Sequence, residues 1–274
     1  MPVVDVDPDE LRDLTGREKT DDELKDDLFA LGIEFEGETE DGKLRLEFEA
    51  DRLDRLSITG IARSLSHHYG DLTGIHVPDT NDPEWTIEVA ESVPDERPYV
   101  TGAVVRGLDL DETDLEAIIQ LQEKLHATMG RKRAKGAIGV HDLTMLKGRA
   151  TADGTKSIRY VGIEPAEDRF VPLDSDAAMT PAAVLTDHPT GREYADRVQE
   201  YERYPAIYDD IGLFSFPPVI NGARTEVSTD SRDLFIEMTG TDQWTIDKML
   251  TIMVYALDAR GGQVESVEIS YPDR

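Results

Sequence analysis

Three short segments of the chain carry side chains that could bind or activate a substrate. In the first, Glu237 and Thr239 are two residues apart on a predicted strand, so a carboxylate and a hydroxyl point to the same side. Thr241 and Asp242 follow just before a predicted helix, whose unpaired N-terminal N–H groups favour an anion or a developing oxyanion. Both residues are also typical helix caps, and capping does not exclude a site. This segment therefore predicts a polar site where a strand meets a helix.

The second segment, residues 213–221, runs from a predicted strand into Pro217 and Pro218. Proline has no N–H group to donate to a neighbouring strand, so the end of this strand is expected to leave the sheet. We expect it to form the rim or wall of a pocket. An ordinary edge strand is the alternative.

The third segment is the basic run at residues 131–133, which closes a predicted long helix in an otherwise acidic chain. Two interpretations stay open. Cations at the C-terminus of a helix complement the helix dipole. They also suit contact with the phosphate backbone of a nucleic acid.

The sequence lacks the residues of several common catalytic centres. It contains no cysteine, which excludes disulfides, thiolate zinc sites and cysteine nucleophiles. The six histidines have no ligand spacing, and the adjacent His67 and His68 would face different directions on a helix. The motifs of serine hydrolases, P-loop enzymes, zinc proteases and dinucleotide-binding folds are absent. No metal site is predicted.

The composition is strongly acidic and indicates a particular environment. The 274 residues include 29 Lys+Arg and 58 Asp+Glu, which gives a formal net charge of −29. Such a surface repels itself at low ionic strength, whereas molar salt shortens the Debye length to about 3 Å. We interpret this as adaptation to a salty cytoplasm, with binding to a basic partner as the alternative. The chain has no apolar stretch near the ~20 residues of a membrane span and no basic N-terminal signal, so a cytoplasmic protein is expected.

Hydrophobic periodicity and capping residues predict an α+β fold in two parts, a small α+β module at residues 1–91 and a larger mixed α/β domain at 92–274. Turn residues without periodicity at 76–85 place the boundary near residue 91. Helices are predicted from apolar spacing and capping signals at residues 8–15, 21–31, 58–69, 115–129 and 246–257. The signals include Gly16, which closes the first helix, and a capping box of Thr20 with Glu23 at the start of the second. In the larger domain, strands are predicted at residues 99–105, 136–141, 157–163, 206–208, 213–216, 234–238 and 264–269.

Several segments together resemble the β subunit of phenylalanyl-tRNA synthetases in its archaeal and eukaryal form. Residues 49–63 resemble the NRxDLLSxxGIAR segment in the first module of that subunit. Other segments agree in the same order: 97–100 (RPYV), 121–126 (LQEKLH), 131–133 (RKR), 137–142 (AIGVHD), 170–173 (FVPL), 215–221 (SFPPVIN) and 237–242 (EMTGTD). The resemblance covers essentially the whole chain.

The resemblance implies an N-terminal B1-like module followed by the B3/B4 editing domain of that family, which hydrolyses tyrosyl-tRNA made in error on tRNA(Phe). It implies two partners, the acceptor end of tRNA(Phe) and the synthetase α subunit, in an α2β2 assembly whose α contacts lie mostly in later modules. ATP and Mg²⁺ would serve aminoacylation in the complete synthetase, and no cofactor is expected here. Because further modules follow in this family, we expect a truncated fragment that cannot aminoacylate alone.

Editing chemistry gives the polar segments specific roles. An apolar pocket rejects the extra hydroxyl of tyrosine poorly, so a second site that accepts the wrong product through a polar contact improves selectivity. Glu237 is predicted to contact the phenol, and a positioned water without a covalent intermediate is the simplest hydrolytic route. The predicted catalytic residues are Glu237, Thr239, Thr241 and Ser215; the predicted substrate-binding residues are Ala206, Ile207, Pro218, Asn221 and His141; Arg131 and Arg133 are predicted to approach the tRNA.

Two other functions remain compatible with the sequence. The chain could be a non-catalytic scaffold of the synthetase, or a free-standing aminoacyl-tRNA deacylase built on the same domain. Deacylation of tyrosyl-tRNA and phenylalanyl-tRNA by the purified chain distinguishes a scaffold from a hydrolase.

Overall fold

The N-terminal part of the chain forms a three-stranded antiparallel sheet with three helices. The computed structural model describes residues 2–49, 51–152 and 154–272, so Asp273 and Arg274, the last residues of the predicted larger domain, lie outside the described residues. The sheet has the strand order β1-β3-β2. The elements are β1 (Val3–Val6), α1 (Pro8–Thr15), α2 (Asp21–Ala30), β2 (Glu34–Glu38), β3 (Leu44–Glu47) and α3 (Ile58–His68).

The ends of these helices follow from local sequence, as predicted. Asp7 caps α1 by accepting the N–H of Asp9 at 2.8 Å, and Gly16 ends the helix at a φ of 62°. In α2, Thr20 and Glu23 form the predicted capping box. Side-chain caps satisfy N–H groups that the first turn of a helix leaves unpaired, so short helices can form here.

The rest of the described chain builds one large mixed sheet and four α-helices. The sheet order is β11-β10-β9-β8-β4-β13-β5-β12-β6, with β7 beside β8. Strand β4 pairs in parallel with β8 and β13, and the other pairs are antiparallel. The elements are β4 (Thr80–Val89), β5 (Tyr99–Arg106), α4 (Glu112–Ala127), β6 (Gly136–Asp142), β7 (Arg149–Ala150), β8 (Lys156–Ile163), α5 (Pro181–Asp187), α6 (Pro189–Tyr194), β9 (Tyr204–Tyr208), β10 (Leu213–Phe216), β11 (Ile220–Asn221), β12 (Leu234–Gly240), α7 (Gln243–Asp258) and β13 (Gln263–Ser270).

Strand β12 lies inside this sheet, between β5 and β6, and its two faces have different environments. Ile236 and Met238 belong to the apolar cluster that includes residues of α3, α4 and α7. Phe235 belongs to a separate cluster, where its ring meets Trp85 with a centroid distance of 5.7 Å. Because side chains alternate along a strand, Glu237 shares the face of Phe235, away from the helices.

The N-terminal part is attached to the large domain by polar contacts as well as by shared apolar packing. The side-chain amide of Gln120 on α4 pairs with the backbone of Asp5, with distances of 2.9 and 3.0 Å. Arg260 forms ion pairs with Glu10 and Asp114. The side chain of Gln120 thus continues the hydrogen bonding of the β1 edge and joins the two parts.

The predicted mixed α+β class is confirmed, and two local predictions are corrected. The segment at 76–85 is not wholly turn, because β4 already begins at Thr80. Pro83 is accommodated where the register between β4 and β13 shifts, and β8 pairs with β4 only from Trp85 onward. Helices α5 and α6 were not predicted, although Thr180 before Pro181 is a recognisable helix start.

The division of the chain at residue 91 stays a prediction. Strand β4, which that boundary assigns to the first part, pairs with β8 and β13 of the large sheet. This pairing favours a division before Thr80. None of the helices described here is both long and apolar enough to cross a membrane.

The acidity predicts that stability depends on salt. We expect the melting temperature in about 2 M KCl to exceed that in 50 mM KCl by roughly 10 °C, because screening removes the repulsion of a chain with net charge −29. Thermal unfolding followed by circular dichroism measures this shift. A melting temperature that does not change between the two salts would contradict the interpretation.

Candidate functional site

A cavity of about 360 Å³ lies between strand β6 and the segment that follows β10. Strand β6 ends the order of the large sheet on one side, and β10 and β11 end it on the other. The cavity therefore separates the two ends of a strongly curved sheet. Its lining residues are Ile119, Gln122, Glu123, Arg133, Ala137, Ile138, Leu173, Asp174, Thr190, Ser215, Pro217, Pro218, Val219, Ile220, Asn221 and Glu237.

Glu237 is the buried carboxylate of this cavity. Its exposed fraction is 1%, and its Oε1 accepts a hydrogen bond from the hydroxyl of Ser215 at 2.8 Å. Its Oε2 has no hydrogen-bond partner among the described residues, and neither has the buried Oγ1 of Thr239. Buried polar atoms are nearly always hydrogen-bonded, so the unpaired Oε2 of Glu237, which lines the cavity, indicates the place of a ligand or water; Thr239 is buried and does not line the cavity.

The segment after β10 forms one wall, as the two prolines predicted. The peptide bond between Pro217 and Pro218 is cis, and both residues line the cavity. The amide oxygen of Asn221 lies 3.2 Å from the Ser215 hydroxyl, whose one hydrogen goes to the nearer Glu237, and the amide nitrogen of Asn221 donates to the carbonyl of Val140 at 3.4 Å. The amide of Asn221 thus bridges the wall and the exposed edge of β6.

The basic run has an unusual backbone. Arg131, Lys132 and Arg133 have φ values of 48°, 53° and 65°, which lie in the left-handed region. They do not belong to α4, which ends at Ala127. The helix-dipole interpretation therefore loses its geometric basis, because that effect falls off beyond the last turn.

Within this run, Arg133 differs from its neighbours. Its guanidinium lies over the ring of Tyr194, 4.1 Å from the centroid, and donates to the carbonyl of Val219 at 2.8 Å. Arg131 and Lys132 are exposed. Arg133 is thus part of the cavity wall, whereas Arg131 and Lys132 face solvent.

Arg97 is a buried cation that joins the basic run to β12. It donates to the carbonyl of Thr239 at 2.7 Å and also to the carbonyls of Arg133 and Ala134. Burial lowers the pKa of its guanidinium, and Tyr160, Tyr201 and Glu237 oppose this shift only in part. The Arg97 side chain thus connects the loop at residues 133–134 to the C-terminal end of β12.

His126 and Gln122 on α4 satisfy the backbone of Ile138 at the edge of β6. The Nε2 atom of His126 accepts the N–H of Ile138 at 2.8 Å, and Gln122 donates to its carbonyl at 3.3 Å. An accepting nitrogen requires a neutral ring. Burial, assisted by Arg133 and Arg97, lowers the pKa of His126 to about 3.

The lowered pKa of His126 predicts a loss of stability on acidification. The unfolded chain binds a proton at this ring below about pH 6.5, but the folded chain does not until about pH 3. Stability should therefore fall by about 1.4 kcal/mol per pH unit between these values. His126→Gln keeps an acceptor and should remove this share of the pH dependence, which urea unfolding of both proteins from pH 7 to pH 4.5 measures. Parallel pH profiles for the two proteins would disprove it.

The structure brings some of the predicted residues together and leaves others apart. Ser215, Pro218, Asn221, Glu237 and Arg133 line the cavity, and Thr239 lies beside Glu237 on the same strand face. The remaining predicted residues do not line the cavity: Ala206 and Ile207 are buried in apolar clusters, His141 is buried behind Glu237, Thr241 is exposed at the end of β12, and Arg131 is exposed in the basic run. The roles predicted for all of these residues remain predictions.

Other residues of the site received no predicted role. Gln122 and Glu123 line the cavity from α4, and Leu173 and Asp174 approach it from the loop before α5. Asp174 has a φ of 59°, which is uncommon for a residue other than glycine. Hydrophobic periodicity locates residues on helices and strands but not in loops, so the sequence carried no signal that Asp174 lies at the cavity. The described residues contain no group of three or more His, Asp or Glu side chains suited to a metal ion.

Known proteins resemble this chain in sequence and in structure. Residues 1–71 match the family profile described as the Phe-tRNA synthetase beta subunit B1 domain. The chain is 69% identical to the phenylalanine–tRNA ligase beta subunit of Halobacterium salinarum and 71% identical to that of Natronomonas pharaonis, in each case over 100% of this chain and 49% of the relative. It thus spans about half the length of these curated relatives.

A solved structure shows the same likeness in the fold. The crystal structure of an N-terminal fragment of the phenylalanyl-tRNA synthetase beta-subunit from Pyrococcus horikoshii superposes with a TM-score of 0.92 at 33% identity. The match covers 100% of this chain and 78% of that one. The salt-adapted composition agrees with the relatives from Halobacterium and Natronomonas.

Proposed function

The chain belongs to the phenylalanyl-tRNA synthetase β-subunit family, as its N-terminal region, and from this we propose that its cavity hydrolyses tyrosine wrongly esterified to tRNA(Phe). The observation that carries the proposal is the buried Glu237, whose Oε2 has no partner among the described residues. A buried acceptor with nothing to accept favours a ligand that brings a hydrogen-bond donor. The phenol of tyrosine is such a donor.

The same contact explains selectivity against phenylalanine. Phenylalanyl-tRNA would leave Oε2 of Glu237 buried and without a hydrogen bond, which costs free energy, whereas tyrosyl-tRNA would supply the missing hydrogen bond. The apolar rings of Pro217 and Pro218 offer a surface for the aromatic ring. Recognition thus depends on one hydroxyl, the group that distinguishes the two amino acids.

Hydrolysis requires water at the ester carbonyl. Water adds to the carbonyl carbon, the ester C–O bond breaks, and the terminal ribose of the tRNA leaves as an alcohol that takes up a proton. We assign the positioning of water to Thr239, whose Oγ1 is buried and without a partner in the described part of the chain. Ser215 is already engaged with Glu237 and Asn221, which suits it to hold the carboxylate.

Purified protein tests the proposal directly. In about 2 M KCl, the chain should deacylate tyrosyl-tRNA(Phe) faster than phenylalanyl-tRNA(Phe), with both compared with the uncatalysed rate. Equal rates for the two substrates would contradict selection through Glu237. No acceleration for either would favour a scaffold role for this part of the subunit.

We further propose that Arg131 contacts the RNA backbone and that Arg133 does not. Arg131→Ala should raise the KM for tyrosyl-tRNA roughly fivefold and leave hydrolysis of a short tyrosine ester unchanged, because the ester has no phosphate. Arg133→Ala should slow the hydrolysis of both substrates, since it removes part of the cavity wall. Steady-state kinetics with both substrates measure this, and Arg149→Ala, which changes an exposed arginine on β7, is the control. Equal effects of Arg131→Ala on the two substrates would refute the assignment.

The wider assembly is proposed on the basis of family membership. We infer that the complete protein is a cytoplasmic ligase in which an α subunit, in an α2β2 arrangement, and the acceptor end of tRNA(Phe) are the partners. ATP and Mg²⁺ would serve aminoacylation there. The B1-like assignment of the first part and the B3/B4-like assignment of the second are part of the same proposal.

A further inference from the structure

A histidine lies directly behind the buried carboxylate of the cavity. The ring of His141 is fully buried on β6, and its Nε2 is 3.8 Å from Oε1 of Glu237 on the neighbouring β12. The ring packs edge-on against Phe214 with a centroid distance of 4.9 Å. His141 does not line the cavity, so a substrate would meet Glu237 first.

Thr225 fixes the orientation of this ring. Its Oγ1 lies 2.8 Å from Nδ1 of His141 and 3.4 Å from the carbonyl of Gly222. The 2.8 Å contact suits either tautomer, but a ring with its proton on Nδ1 would turn the lone pair of Nε2 toward Oε1 of Glu237, which is repulsive. The 3.4 Å contact is long for an O–H···O bond, so we assign the hydroxyl hydrogen to Nδ1, which accepts it. The ring proton of a neutral His141 is then on Nε2, the atom that faces Glu237. Nε2 has no other partner among the described residues.

The residue opposite Glu237 on β6 leaves room for this approach. Gly139 pairs with Glu237 in the register of the two strands. A Cβ at this position would lie 2.3 Å from Oε1 of Glu237 and 2.8 Å from Nε2 of His141. Any side chain here would therefore push the carboxylate and the imidazole apart, and the glycine creates the space in which they meet.

We propose that His141, held by Thr225, is a positioning residue that orients the Glu237 carboxylate for the tyrosine hydroxyl. The inference rests on the proposed function. His141 on β6 and Ser215 on β10 both contact Oε1 of Glu237. This leaves Oε2 for the ligand. The distance of 3.8 Å exceeds that of a hydrogen bond, so the ring acts on the carboxylate through the electrostatic attraction between Nε2–H and Oε1.

Two pairs of variants test the role of His141. His141→Leu removes the donor, whereas His141→Gln keeps an N–H near the place of Nε2. Thr225→Val removes the hydroxyl that orients the ring, whereas Thr225→Ser keeps it. Thr86→Val is the matched control, because Thr86 is also buried in the large sheet, on β4, and does not line the cavity.

The expected result is a change in substrate recognition with little change in turnover. His141→Leu should raise the KM for tyrosyl-tRNA about tenfold, and Thr225→Val about threefold, with kcat within twofold of wild type. His141→Gln, Thr225→Ser and Thr86→Val should stay within about twofold in KM. If His141→Leu fails to fold, Thr225→Val still tests the role of His141, because this variant keeps the imidazole ring and removes only the hydroxyl that orients it.

Other outcomes overturn the inference in distinguishable ways. Unchanged KM in Thr225→Val and His141→Leu would show that the ring does not act on Glu237. A fall in kcat alone, equal for tyrosyl-tRNA and phenylalanyl-tRNA, would indicate a structural role. A wild-type protein that does not prefer tyrosyl-tRNA would refute the proposed function itself, and with it the inference.

Discussion

Glu237→Ala is expected to lower kcat/KM for tyrosyl-tRNA by roughly 10- to 160-fold, which corresponds to about 1.5–3 kcal/mol. This is the range for a hydrogen bond to a charged group, and Oε2 of Glu237 is buried and open to such a bond. Hydrolysis of phenylalanyl-tRNA, which has no phenol to donate, should change much less. The ratio of the two rates should therefore fall toward one.

Single-turnover deacylation of both charged tRNAs measures this ratio. Glu268→Ala is the matched control, because Glu268 is exposed on β13 of the same sheet and does not line the cavity. The melting temperature of each variant in 2 M KCl verifies the fold. A folded Glu237→Ala protein with a wild-type preference for tyrosyl-tRNA would refute the role of Glu237 in recognition.

Asp209→Ala is expected to have the largest effect on stability, a loss of about 3 kcal/mol. The side chain of Asp209 is fully buried, and Arg224 donates to both of its oxygens at 2.8 and 3.0 Å. It also accepts the N–H groups of Lys147, Ile211 and Gly212. Removal of the carboxylate leaves a largely buried guanidinium and three N–H groups without their acceptor.

Urea unfolding in 2 M KCl measures this loss. We expect a loss at the low end of the range of free energies that breaking a buried ion pair usually costs. The reason is that the Arg224 side chain is about a quarter exposed, so water solvates part of its charge. Asp210→Ala is the control. Asp210 is about half exposed and lies 4.0 Å from Arg149, so its removal should cost less than about 0.5 kcal/mol. Similar losses for the two variants would contradict the importance of burial.

Local structure was predicted most reliably where neighbouring residues determine it. The capping box of Thr20 and Glu23, the left-handed Gly16 and the apolar spacing of α7 all depend on contacts within a few residues. The start of β4 was misjudged for the converse reason. Asn81, Asp82 and Pro83 have turn chemistry, but pairing with the distant β13 holds that segment as a strand.

The sequence by itself determined the family, the salt-adapted surface and the polar face of β12. The side-by-side placement of Glu237 and Thr239 follows from the two-residue repeat of a strand, which is a local property. The predicted pocket wall at Pro217 and Pro218 follows from the missing N–H groups of proline. These conclusions needed no knowledge of which strands are neighbours.

Only the tertiary structure decided which residues meet at the cavity. The curvature of the large sheet brings Ser215 of β10 to Glu237 of β12, although five strands lie between β10 and β12 in the strand order. The pairing of β6 with β12 places Gly139 opposite Glu237 and His141 behind it. Ala206 and Ile207, on β9, are buried in apolar clusters and do not line the cavity. Such contacts depend on strand order, register and curvature, which arise from packing over the whole domain and leave no periodic signal in the chain.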